Sequence, residues 1–218
     1  MKLGSKSKIN ILAKRIEQMT NLKTGFYNIS ELKKLKFKSL GKNVLISKSI
    51  NIVGEENISI GSNVRIDSYT NLICQKGKIT IGNYCHIASS CFILGTGGVT
   101  MEDFSGIAPG VKIFSSSDNY DGSSLTNPLV GDQFSKPVKK EIFIGKHVII
   151  GTNSVVLPGV KIDEGVAVGA LSLVSKSLEK WNIYIGLPIK KLKRRSRDLL
   201  DLEKKFLSNE NKISKKNK

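Results

Sequence analysis

Ile144, Ile150, Val156, Ile162, Val168 and Val174 form an unbroken series in which an aliphatic residue returns every six positions. Ile81, Ile87 and Ile93 form a second series, and Met101, Ile107 and Ile113 a third. A period of six suits neither an α-helix nor a hairpin sheet. It suits a short strand followed by a corner, repeated. Three such units make one triangular turn of a parallel β-helix, and stacked turns bury a column of aliphatic side chains.

Taken by threes, the series gives six coils: Leu40/Ile46/Ile52, Ile60/Ile66/Leu72, Ile81/Ile87/Ile93, Met101/Ile107/Ile113, Ile144/Ile150/Val156 and Ile162/Val168/Val174. The small excesses over eighteen residues per coil fall at third corners, at Gly54-Glu55-Glu56, Cys74 to Lys78 and Gly95 to Gly98. One excess is large. Residues 114–143 are rich in Ser, Asp, Asn, Gly and Pro and read as a loop extruded from a corner, a length usually functional in a compact fold.

The fold class expected is an all-β core of about six coils, flanked by N- and C-terminal helices. The organisation expected is a basic helical segment over 1–39, the β-helix over 40–178, a closing turn and basic helix over 179–207, and a disordered tail over 208–218. In the first segment, Ile9, Ile11, Leu12, Ile16 and Met19 roughly mark one helix face, and Ser30 is a candidate N-cap for a second short helix. In the C-terminal helix, Leu192, Leu199, Leu200, Leu202 and Phe206 are the expected packing positions. Such helices would cap the open ends of the prism.

The chain of 218 residues carries a formal charge of +17, unevenly placed. Residues 1–43 hold eleven Lys/Arg against two acids, residues 190–218 twelve against four, and residues 44–189 twelve of each. The basic flanks suit anionic partners: coenzyme phosphates, nucleotide-sugars or an anionic membrane surface. They equally suit solvated ends. Nucleic acid is not expected, because no aromatic pattern or binding motif accompanies the charge. No apolar run is long enough to span a bilayer, and residues 1–6 lack a signal-peptide core, so a cytoplasmic protein is expected, with a peripheral place at the inner membrane face an option. The three cysteines, Cys74, Cys85 and Cys91, match no zinc spacing. Cys85 and Cys91 should point inward as small core residues.

The stretch Ile144 to Gly151, then Val156-Leu157-Pro158-Gly159-Val160, Val168-Gly169-Ala170 and Gly186-Leu187-Pro188-Ile189-Lys190-Lys191, resembles the hexapeptide-repeat acyltransferases over about residues 40–195. Within that family the chain is most similar to the sugar O-acetyltransferases of bacterial surface polysaccharides. The resemblance implies a left-handed β-helix, a homotrimer with active sites at subunit interfaces, acetyl-CoA as cosubstrate and no metal. It also implies coenzyme roles by position. Gly151 and Thr152 would line the pantetheine path, and the Ala170 backbone would bond that arm. Ser175 and Lys176 would follow as a polar-basic pair, and Lys190 and Lys193 would lie near the nucleotide phosphates.

The catalytic position departs from the family. Galactoside and maltose acetyltransferases carry a histidine five positions after the aliphatic residue preceding the loop; here that position is Asp118. A carboxylate of ordinary pKa is a weak base for a sugar hydroxyl. Two histidines remain. His147 sits at a corner, where turn chemistry explains it. His86 directly precedes Ile87, so strand alternation points it outward, below Gly106 of the next coil. The expectation is that His86 of one subunit is the general base, although packing at a trimer interface explains an outward histidine equally well, and that Asp118 of a neighbour orients it or binds the acceptor. Asn119, Tyr120, Asp121 and Asn127 are candidate sugar contacts, and turn formation explains them nearly as well. Trp181 stacks on a ligand or caps the prism.

The leading expectation is O-acetylation of a sugar in a surface polysaccharide or its lipid-linked precursor. The alternatives are N-acetylation of a nucleotide-linked amino sugar and a non-catalytic β-helix module. A metal enzyme of the carbonic-anhydrase kind needs three histidines and is disfavoured.

Overall fold

The computed structural model describes residues 25–127 and 129–216. The amphipathic stretch Ile9 to Met19 lies outside them. Three parallel sheets form the faces of a left-handed triangular prism of about seven turns. On the first face Leu40, Ile60, Ile81, Met101, Ile144 and Ile162 are successive partners. On the second face the column is Ile46, Ile66, Ile87, Ile107, Ile150 and Val168. On the third it is Ile52, Leu72, Ile93, Ile113, Val156 and Val174. These are the six coils expected, in the expected register. Most of the aliphatic residues are fully buried, because each two- or three-residue strand points its central column inward and its neighbours outward.

A partial seventh coil follows. Leu178 bridges to Ile162, and the strand Asn182–Ile185 pairs with Ala167–Val168. Trp181 then occupies the first corner above Gly165, buried, as a cap of the prism.

The corners explain a sequence pattern that the aliphatic period leaves unread. The third residue after each first-face aliphatic adopts left-handed backbone: Asn43, Asn63, Tyr84, Phe104, His147, Gly165 and Trp181. Asn and Gly accept that conformation readily, whereas aromatic residues do so at a cost. Here the rings form a stack along the corner. Tyr84 and Phe104 lie 4.7 Å apart and nearly parallel, and Phe104 and His147 5.3 Å apart.

The flanks differ from expectation in three ways. The short helix Ile29–Lys34 is capped by Asn28 rather than Ser30: the Asn28 side chain accepts from Glu31 N–H, and Glu31 accepts from Asn28 N–H. This reciprocal box satisfies two donors at once, which a cap at Ser30 would not. Residues 190–194 are a strand rather than the start of a helix, pairing antiparallel with Asn182–Ile185. The last parallel strand leaves an open edge of backbone groups, and the returning chain satisfies it. The C-terminal helix begins at Leu199 and runs to Lys216, through most of the segment expected to be disordered. The loop has a zipped base, with Ser116–Ser117 antiparallel to Val138–Lys139. All three cysteines are buried and free. Burial pushes the Cys91 thiol up to about 11, so it stays protonated and inert.

Candidate active site

Three elements bring chemistry to the surface: the second face around His86, the second corner of the last coils, and the loop. Along the second face, Arg65, His86, Gly106 and Ile149 are successive outward partners. His86, Gly106 and Ile149 of this column line a groove of about 690 Å3 between this face and the C-terminal helix, floored by Ala88, Gly106 and Ala108 and closed by Phe206. Gly106 leaves a notch above His86. Gly106 has no positive φ, and a Cβ there would touch its neighbours at 3.6 Å without a clash. The backbone therefore does not demand glycine; its effect is to leave the space beside His86 open.

His86 Nε2 lies 2.8 Å from Asp67 Oδ2, and Arg65 Nε donates to Asp67 Oδ1 at 2.7 Å. Burial works to raise the Asp67 pKa, but the hydrogen bonds from His86 and Arg65 outweigh it and hold the carboxyl below its usual range. Asp67 and Arg65 were not singled out from sequence. The signal was there: Arg65 and Asp67 flank an inward isoleucine, and Arg65 is one coil below His86.

Asp118 lies past the end of the third face, exposed, whereas His86 is on the second. Among the described residues no hydrogen bond or ion pair joins them. The carboxylate that contacts His86 within the chain is Asp67, whereas the expectation for Asp118 concerns a neighbouring copy. Three of the loop candidates shape the loop itself. Asn119 Oδ1 accepts from Asp121 N–H, Asp121 Oδ1 from Ser123 N–H, and Asn127 Oδ1 from Leu129 N–H. These are successive side-chain-capped turns, as their residue types favour. Tyr120 is 91% exposed, so its ring is unused within the chain.

The coenzyme candidates divide. Gly151, Thr152 and Ala170 meet on the second corner, where a Cβ on Gly151 would fall 2.5 Å from the Ala170 nitrogen. The backbone N–H groups of Thr152 and Ala170 make no hydrogen bond among the described residues, and both residues are exposed. An exposed pair of donors on a corner suits the amide carbonyls of a pantetheine arm. Lys190 pairs with Ile185, which packs on Gly169 beside this corner, and Lys193 follows along the strand. Ser175 and Lys176 are not in this group; the strand Leu173–Val174 carries them to the next corner.

His147 is a structural residue. It is buried, stacked on Phe104, and its Nε2 contacts Glu203 at 2.8 Å. Arg195 fixes the same region by donating to the carbonyls of His147, Gly165 and Val166. Among the described residues no group of three His, Cys, Asp or Glu side chains is placed to hold a metal ion, and no helix is long and apolar enough to cross a membrane.

The bacterial transferase hexapeptide (six repeats) family matches residues 141–176. Over 176 residues, 81% of this chain and 92% of the relative, the sequence is 44% identical to a dTDP-4-amino-4,6-dideoxy-D-glucose acyltransferase of Escherichia coli. The chain belongs to the bacterial hexapeptide-repeat transferases. It is an acyltransferase. Among solved structures it is similar to AntD, an N-acyltransferase from Bacillus cereus in complex with dTDP and 3-hydroxybutyryl-CoA. That match has 44% identity and a TM-score of 0.81, and covers 86% of this chain and 98% of AntD. A more distant relative is WbbJ of Escherichia coli K12, named for lipopolysaccharide biosynthesis O-acetyl transfer, with 28% identity over 64% of this chain and 69% of WbbJ.

Proposed function

We propose that this enzyme transfers an acyl group from acyl-CoA to the amino group of a nucleotide-linked amino sugar. The observation that carries the reading is the 44% identity spanning 92% of an amino-sugar acyltransferase, against 28% for the O-acetyl relative over 69% of its length. It supports the amine, the alternative expected from sequence, over the hydroxyl expected first. The AntD complexes, with dTDP and a CoA thioester in one protein of this fold, support the same pairing.

Coenzyme A would lie along the second corner, its amides on the free N–H groups of Thr152 and Ala170 and its phosphates near Lys190 and Lys193. A sugar amine is protonated near neutral pH and must lose a proton to attack. Asp118 binds the amine as an anionic acceptor, and His86 takes its proton. The nitrogen forms a bond to the thioester carbonyl carbon and a backbone N–H holds the oxyanion; the C–S bond then breaks as the nitrogen's second proton passes to the leaving sulfur, so coenzyme A departs as the thiol and the first proton leaves His86 for solvent. His86 and Asp118 stand on different faces of one prism, so this reading has them meet across a boundary between copies. The exposed loop residues Leu125, Leu129 and Phe134 support such a boundary, and a trimer is the assembly this reading requires. Tyr120 is the loop side chain free to contact the sugar.

The test is a thiol-release assay with acetyl-CoA, offering dTDP-4-amino-4,6-dideoxyglucose and a hydroxyl-bearing glycan of the surface-polysaccharide type. Turnover confined to the amine supports the proposal, and turnover confined to the hydroxyl overturns it. His86→Ala and Asp118→Asn should each lower kcat by at least ~100-fold with acyl-CoA binding intact.

A further inference from the structure

We propose that Asp67 is a positioning residue of this site: it holds the His86 imidazole in the tautomer that leaves Nδ1 free to accept the acceptor's proton. This rests on the reading of His86 as the base.

The arrangement follows from the coil geometry. Arg65 and Asp67 flank inward-pointing Ile66, so both project outward from the second face. The parallel register sets His86 directly above Arg65, which places Asp67 beside both. The carboxylate is the least exposed of the three side chains, at 18% against 42% for Arg65 and 53% for His86. Arg65 Nε donates to one of its oxygens at 2.7 Å, and His86 Nε2 stands 2.8 Å from the other. A carboxylate paired with a guanidinium is ionised and can only accept, so Nε2 must carry the hydrogen. In a neutral imidazole the lone pair is then on Nδ1. No hydrogen bond among the described residues engages Nδ1, and Gly106 above the ring leaves room for a ligand.

The charged groups that line the groove besides His86 are occupied. Glu203 is held by Lys146 and His147, and Arg195 by three backbone carbonyls. Asp67 is therefore the carboxylate that selects the His86 tautomer, and Arg65 fixes Asp67 in turn. Stability is a weak explanation for the cluster, since exposed ion pairs contribute about 0–1 kcal/mol.

The experiment uses the full chain and its two histidines, which make the imidazole nitrogens readable by 15N NMR. His86 is assigned by its absence in His86→Gln. In the wild type, His86 should show the Nε2–H tautomer. Asp67→Asn should lose that preference and lower kcat about 10- to 100-fold, with KM for both substrates within about 2-fold. Asp67→Glu should recover part of each. An Nδ1–H tautomer in the wild type overturns the proposal, even if no Asp67 variant folds. So does an Asp67→Asn enzyme of wild-type kcat. If that enzyme is fully active while His86→Ala is dead, only the positioning role falls. If His86→Ala retains wild-type kcat, the base assignment falls first.

Discussion

His147 and Glu203, 56 residues apart, meet at 2.8 Å and tie the C-terminal helix to the first corner of the prism. Lys146 pairs with the same carboxylate at 2.6 Å, and Phe206 packs edge-on against Tyr84. The helix closes the groove that holds His86, so this contact governs the shape of the site.

The docking should depend on acid in a defined direction. Burial works to raise the Glu203 pKa, but hydrogen bonds from Lys146 and His147 prevail and lower it from 4.5. A depressed folded pKa means stabilisation that is complete above about 4.5 and is lost as pH falls through the lower, folded value. Hydrogen exchange of the helix should therefore quicken below that pH. Glu203→Gln should exchange faster already at neutral pH and lose the acid dependence, with a stability loss on the order of 1–2 kcal/mol.

Gly165 should resist substitution. Its φ is +69°, and a Cβ there would stand 2.5 Å from two carbons of the Trp181 ring. Gly165→Ala must strain the corner and lift the indole, at a cost of about 2 kcal/mol or more. Trp181 is the sole tryptophan, so its fluorescence reports the displacement during denaturant unfolding.

Ile149 and Ile150 are adjacent and chemically identical, yet 43% and 0% exposed. Ile150→Ala should cost about 2–5 kcal/mol by leaving a cavity in the aliphatic column, whereas Ile149→Ala should cost under ~1 kcal/mol. Equal losses in urea unfolding would contradict the alternation.

Lys190 and Lys193 offer a test of the coenzyme path. If they meet its phosphates, Lys190→Ala and Lys193→Ala should each raise KM for acyl-CoA about 3- to 10-fold while leaving kcat unchanged, and the effect should shrink at high salt. An unchanged KM would place the phosphates elsewhere.

The six-residue period was sufficient to read every coil from Leu40 to Val174, because one inward side chain per strand must recur wherever a strand stacks on its copy. It also located the loop and turned His86 outward. Those are local consequences of alternation and need no knowledge of what lies opposite. The partners of His86 were a different matter. Arg65 and Asp67 lie about one coil away in sequence, and only the register of stacked strands brings Asp67 to Nε2. The ends were least legible. Lys190–Arg194 reads as a helix by composition, but an unpaired sheet edge drew it into a strand, and Asn28 displaced Ser30 as a cap because Glu31 could answer it. The sequence alone thus determined the prism, since its repeat is a property of each strand by itself. The tertiary structure decided which carboxylate touches the histidine and which helix closes the groove, since those contacts exist only between segments far apart in the chain.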